Sequence, residues 1–263
     1  MQKGFTQWLL GLGLIAYAIG CLVLVFILSL NPLSGKIDDD ILTSNTLLPD
    51  LTAINQPMER VQLFISIMRP LVEQKNELLA TTRDRLLLIK QEIDLGHELG
   101  FVDRAQLDSL REDFSVSVED YPSDKQAIEV LLSRVDIIPP AMVIAQAAIE
   151  SGWGTSFFAQ EGNNLFGEWC FKKGCGIVPS RRAASATHEV RRFDSIEDSI
   201  NSYYRNINTN NAYRSLRDLR TKIRNNKEQF TGRALVAGLG KYCGRGDIYI
   251  TEVRHMIHSA KLE

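Results

Sequence analysis

The sequence predicts a mainly α-helical protein with one small β excursion, preceded by a single transmembrane helix and an N-terminal helical region. Three observations predict it. A run of 23 residues without a charge, Trp8 to Leu30, stands near the start of the chain. Apolar residues recur at three- and four-residue spacing over most of the remaining chain. Only residues 165–193 break that period, with glycines and short aromatic and β-branched runs.

At a helical rise of about 1.5 Å per residue the first run spans roughly 34 Å, enough for the hydrocarbon core of a bilayer. Asn31-Pro32 stops it, and Trp8 sits where an interfacial aromatic belongs. A cleaved signal peptide is the alternative. Its apolar region is shorter, about 7–15 residues, and ends in small residues. Ala18-Ile19-Gly20-Cys21 has a lipoprotein-like look, but the sequence stays apolar beyond Cys21. Length therefore favours an uncleaved anchor over residues 1–32, which would meet the membrane through residues 8–30. Lys3 precedes the run, whereas Lys36 is followed at once by Asp38, Asp39 and Asp40. The positive-inside rule then puts the N-terminus in the cytoplasm and the bulk of the chain outside it.

Residues 33–55 are polar, acidic and proline-bearing, and read as a linker. Met58, Val61, Ile65, Met68 and Val72 come next at helical spacing; Pro70 kinks that helix or begins the next. Leu78, Leu79, Leu86, Leu87, Ile89 and Ile93 continue an amphipathic helix that ends near Gly96, and Asp103 can cap a short helix over 104–112. Residues 56–121 thus form a helical region expected to pack on the main domain, 122–263. In that domain a helix runs from Ser123 to about Val135, and Pro139-Pro140 leads into a second that Gly152 stops. Ser195, with Asp198 three residues later, opens a helix over 196–207. Helices near 211–224, 231–239 and 247–260 complete the frame, and 165–193 forms a small β-hairpin or loop lobe.

The formal net charge of −2 argues against a nucleic-acid partner, but it hides opposed halves. Residues 1–171 sum to −11 and residues 172–241 to +9. Cys170 and Cys175 flank FKKG, a tight turn that suits a short-loop disulfide in an oxidising compartment, with two reduced thiols as the alternative. No metal or cofactor is expected. His188-Glu189 lacks the second His of a zinc-protease helix, since Arg192 holds that place, and Gly240-Lys241 lacks a phosphate loop's remaining residues.

Glu150 carries the most chemistry. It ends an unusually apolar helix, at the negative end of the helix dipole, and both circumstances raise a carboxyl pKa. A carboxylic acid that keeps its proton near neutrality is what a glycosidase uses to protonate a leaving oxygen. A surface glutamate at a helix end is the plain alternative.

Glu150-Ser151-Gly152-Trp153-Gly154 and Asn163-Asn164-Leu165-Phe166-Gly167, within Ala145–Gly167, resemble the catalytic signature of the glucosaminidase domain of glycoside hydrolase family 73. The likeness is greatest to the Bax-like proteins of that group. They share the Trp169-Cys170-Phe171 to Gly174-Cys175-Gly176 insert and Arg192-Phe193-Asp194-Ser195 leading into Tyr203. The resemblance covers roughly residues 56–260 and implies a lysozyme-like helical domain with a small β lobe beside a cleft.

It further implies an endo-β-N-acetylglucosaminidase that cleaves β-1,4 bonds at N-acetylglucosamine, with Glu150 as general acid and peptidoglycan as polymer. Glu189 stands where some relatives carry a second catalytic carboxylate; a solvent-facing strand residue is the alternative, and the substrate's N-acetyl group can replace a protein nucleophile. Tyr242 matches a family tyrosine near the acid. Ser151, Trp153, Asn164, Phe166 and Glu168 are the expected substrate contacts, with Phe166 equally a core residue, whereas Tyr249 is read as structural. Cys243 departs from the small polar residue expected after that tyrosine. Such a protein would sit in the inner membrane with its catalytic domain in the periplasm. A catalytically weak glycan-binding scaffold and a glucosaminidase for other N-acetylglucosamine oligosaccharides are the rival readings; no protein partner is read from the sequence.

Overall fold

The computed structural model describes residues 46–263 except 181, 184 and 243. The expected anchor at 1–32, the first part of the linker and Cys243 lie outside the described residues. Among the described residues no helix is long and apolar enough to cross a membrane.

One long helix, α1 (Pro57–Asp94), organises the molecule. Pro57 begins it because a proline at the first helical position has no amide to satisfy. Pro70 lies inside the same helix, neither ending it nor starting another. The buried stripe is Phe64, Met68, Val72, Leu79, Leu86 and Ile89, whereas Met58 is 71% exposed. The apolar face is therefore rotated from the one expected at its start.

α2 (Phe101–Asp113) folds back against α1. Its N-cap is Gly100, so Asp103 does not cap it; Asp103 instead pairs with Arg85 of α1. α3 (Asp124–Arg134) starts on a capping box in which the Ser123 hydroxyl accepts from the Gln126 amide. α4 (Pro140–Ser151) is the central helix. Nine of its residues are buried, and Gly152 ends it in the left-handed conformation. α4 packs on α1 and on the last helix, α9 (Asp247–Ser259).

Beyond the short α5 (Phe157–Gly162) comes a three-stranded antiparallel sheet: β1 (Trp169–Cys170), β2 (Gly176–Ile177) and β3 (Glu189–Arg191), ordered β1-β3-β2. Trp169 pairs with Val190, and Ile177 pairs with Val190 from the other side. The lobe is thus a sheet centred on its last strand rather than a two-stranded hairpin. Cys170 and Cys175 are joined as a disulfide. In the chain-entropy account a loop this short is worth about 2 kcal/mol. Replacing both cysteines by Ser is expected to loosen the lobe, with protease cleavage accelerating within 170–190 while the helical core's thermal midpoint moves little. Unchanged cleavage there would show that the strands alone hold it.

α6 (Ile196–Thr209) opens on a second capping box, Ser195 with Asp198, and α7 (Arg214–Asn225), α8 (Gly232–Leu235) and α9 close the core. The expected linker ends earlier than residue 55. The Thr46 carbonyl accepts the Ile196 amide, the Leu48 amide donates to Asn163 Oδ1, and Leu51 is fully buried. Gly154 makes this docking possible. Its φ is +76°, and a Cβ there would stand 2.6 Å from the Leu51 side chain.

The α3–α4 connection is fixed by charge. Asp136, 2% exposed, faces Arg83 of α1 at 3.5 Å and Arg220 of α7 at 3.6 Å, and takes two hydrogen bonds from Arg224. Arg220 is fully buried, and burial pushes its pKa down to about 10. Its two terminal nitrogens donate to the carbonyls of Ser133, Asp136 and Ile137 and to Asn208, whereas its buried Nε has no hydrogen-bond partner and faces the Asp136 carboxylate.

Candidate active site

α4 delivers Glu150 to a cleft of about 1330 Å³. One wall carries Phe166, Gly167, Glu168 and Trp169 from the β lobe, and α6 supplies the floor. Gly167, at φ +67°, passes close to the acid: a Cβ there would lie 3.9 Å from Glu150 Oε2. Absence of that side chain keeps the carboxyl open to the cleft.

Glu150 is half-buried, and desolvation raises its pKa above the ordinary glutamate value. A hydrogen bond with Tyr249 and the charge of Arg245 oppose that rise, while Glu252 adds to it. Tyr249 is itself fully buried on α9 and tied into a chain of hydrogen bonds. The Tyr203 hydroxyl donates to Gln146 Oε1 at 2.7 Å, and Gln146 Nε2 donates to the Tyr249 hydroxyl at 3.1 Å. Gln146 lies one helical turn before Glu150, so both project from one face of α4. Three helices therefore converge on one carboxyl group.

Tyr249 is more than the structural residue the sequence suggests. Removing its hydroxyl by Tyr249→Phe deletes an interaction that favours the ionised carboxyl, so the Glu150 pKa should rise further. For an acid that acts when protonated, the alkaline limb of the pH–rate profile is expected to move to higher pH. An unmoved limb, measured as kcat/KM against pH, would show that Tyr249 does not set this proton's affinity.

Tyr242 also lines the cleft, stacked on Tyr249 with ring centroids 5.1 Å apart and packed near Tyr213. Burial holds its phenol well above the ordinary tyrosine value, so it presents a neutral hydroxyl. Phe166 is a core residue, 8% exposed and stacked on Tyr203 at 4.2 Å, that also lines the cleft. Glu168 is on the wall and pairs with Arg191 at 2.8 Å. Trp169, 56% exposed and stacked on His188, is a cleft aromatic that the sequence does not mark as a sugar contact.

Four expected site residues are placed elsewhere. The Glu189 oxygens accept from the Gly174 and Gly176 amides, at 3.0 and 2.9 Å, and these bonds hold its carboxyl below the usual value. It braces the disulfide loop and is not on the cleft wall. Ser151 is fully buried, donating to the Ala147 carbonyl and accepting the Gly154 amide, a local brace after α4. Asn164, 2% exposed, donates to the Glu168 and Arg191 carbonyls and accepts the Glu168 amide, which staples the lobe to the core. Trp153 packs edge-on against Phe64 of α1 at 5.7 Å, away from the cleft. In each case the hydrogen-bonding or stacking capacity is already used inside the protein.

Cys170, Cys175 and Glu189 lie within 4.8 Å of one another, the one such cluster among the described residues. The disulfide occupies both sulfurs, so this group is not a metal site in the oxidised protein.

Comparison with known proteins converges on the same part of the chain. The glucosaminidase family described as mannosyl-glycoprotein endo-beta-N-acetylglucosaminidase matches residues 125–262. Protein bax of Escherichia coli (strain K12) is 33% identical over 204 residues, which is 77% of this chain and 70% of that protein. No solved structure matches.

Proposed function

The chain belongs to the glucosaminidase family in its Bax-like form, and on that footing we propose that it is a glycoside hydrolase cleaving β-1,4 bonds at N-acetylglucosamine in peptidoglycan. The observation that carries the reading is Glu150: a half-buried carboxyl with a raised pKa, open to a large cleft and oriented by Tyr249. Such a group binds its proton more tightly than an ordinary glutamate does. Glu150 gives that proton to the leaving oxygen as the C1–O bond breaks. The helical frame with its lobe beside the cleft accords with a lysozyme-like domain.

Departure of that oxygen needs an electron pair at C1. Glu189, with its oxygens spent on backbone amides, is a poor source. The substrate's own N-acetyl oxygen fits better: it bonds to C1 as the leaving group departs, and water later displaces it. Glu168, clamped by Arg191, and the neutral Tyr242 hydroxyl stand on the wall where they can orient the sugar. The +9 segment over 172–241 suits an anionic polymer approaching from the lobe side. We further propose the anchor at residues 8–30, with the enzyme in the inner membrane and residues 56–263 working in the periplasm.

Digestion of purified sacculi, with the soluble products read by mass spectrometry, tests the function and the bond choice together. New reducing ends at N-acetylglucosamine are expected. Ends at the muramyl sugar would reassign the bond, and binding without release would favour a glycan-binding scaffold.

A further inference from the structure

The cleft is longer than the family-matched segment. Its far end is closed by Ser115, Asp120 and Tyr121, from the connection between α2 and α3, upstream of residue 125. This connection is held rigidly. Arg134 donates to the Phe114 and Ser115 carbonyls at 2.6 and 2.7 Å, and Arg111 donates to the Tyr121 carbonyl at 2.5 Å. Both arginines are buried, and Phe114 and Val116 anchor the loop in the core. Ser115 is forced to φ +56°, a conformation that costs a serine energy and persists only where its surroundings over-determine it.

The floor leading there is the polar face of α6. Ser202, Arg205, Asn206 and Thr209, at i, i+3, i+4 and i+7, share one face along the cleft. At about 1.5 Å per residue this face runs roughly 10 Å, beyond the reach of a single pyranose ring at Glu150.

We propose that this far end is a distal sugar subsite, built by the helical region outside the glycosidase family segment, that takes an N-acetylhexosamine ring of the bound polymer. Tyr121, half-buried, offers an aromatic surface, and the exposed Asp120 carboxylate accepts from sugar hydroxyls. The one guanidinium that reaches this end from α3, Arg134, is committed to two carbonyls. Arg205 of the floor lines the cleft together with Asp120, so the subsite carries charges of both signs. The proposal rests on the glycosidase reading of the same cleft.

The test uses the full chain carrying Glu150→Gln, so that ligands are held uncut, and N-acetylglucosamine oligomers of two to six units titrated calorimetrically. Affinity is expected to climb with length. Adding Tyr121→Ala should cost about tenfold at six units and nothing at two; Asp120→Ala, at an exposed position whose carboxylate accepts from Ser117 within the same turn, should cost about threefold in the same length-dependent way. Equal losses at both lengths, no loss in either variant, or no oligomer binding at all would overturn the subsite. Hydrolysis of sacculi by the unsubstituted chain is followed in parallel: its absence rejects the glycosidase reading, whereas a flat length dependence with hydrolysis intact rejects the subsite alone.

Discussion

Glu150→Gln is expected to lower the release of reducing ends from sacculi by about 10²–10⁴-fold, the usual contribution of a positioned acid. Glutamine keeps the shape and can still meet the Tyr249 hydroxyl, but it has no proton to give. Activity within a few-fold of the parent would remove Glu150 from the mechanism. The same substitution has a second, opposite consequence. The folded-state pKa of Glu150 is raised, so the folded protein holds this proton more tightly than the unfolded chain does. Its contribution to stability is fully present below the ordinary carboxylate pKa and is lost as pH rises through the raised value. Above that raised value the ionised group is therefore a burden that glutamine lacks. The variant's urea midpoint should match or exceed the parent's at neutral pH, with the gain fading on acidification. A variant less stable at neutral pH would show that the charge is better solvated than its burial implies.

Asp136→Asn is expected to cost about 3–5 kcal/mol in urea unfolding, the scale for breaking a buried ion pair from one side. Its carboxylate faces three guanidinium groups, and Arg220 among them is fully buried. Asparagine retains the size and one acceptor but leaves that cluster with an uncompensated charge. The damage should reach the cleft, because Asp136 is four residues ahead of Pro140, where α4 begins. A loss below about 1 kcal/mol would mean that the carbonyls around Arg220 suffice to hold it.

The bounds of α3, α4 and α6 are legible in the sequence because each rests on a local signal, whereas Asp103 does not cap α2 and α5 carries no expectation. Ser123 with Gln126, Ser195 with Asp198, Pro140 and Gly152 all sit where capping chemistry requires them. Glu150 is legible for a similar reason, as the one carboxylate closing an apolar helix. The sequence does not disclose which polar residues of a motif face inward. Ser151, Trp153 and Asn164 accompany Glu150 in sequence, yet their side chains turn to the core and serve as braces. Tyr249 and Gln146 differ in the other direction, being closer to the chemistry than sequence alone suggests. Gln146 carries a usable signal, its four-residue spacing from Glu150, but Tyr249 depends on how α9 crosses α4, and no local pattern encodes a crossing. The register of α1 departs from expectation at its start because Phe64 decides the buried face there, and Phe64 lies outside the series of Met58, Val61 and Ile65.

The convergence of α4, α6 and α9 on Glu150 has a consequence in time. A chain is made from its N-terminus, at about 5–20 residues per second, and early segments can fold while later ones are still being added. α1 through α6 can assemble the cleft, with Glu150 already in it, before Tyr242 and Tyr249 exist. Until α9 arrives and packs against α4, the flank of the apolar helix lies open to water, and the lost desolvation would outweigh the missing Tyr249 hydroxyl and let the proton go. The proposed acid would then gain its hold on the proton only once α9 has been delivered and has closed over α4.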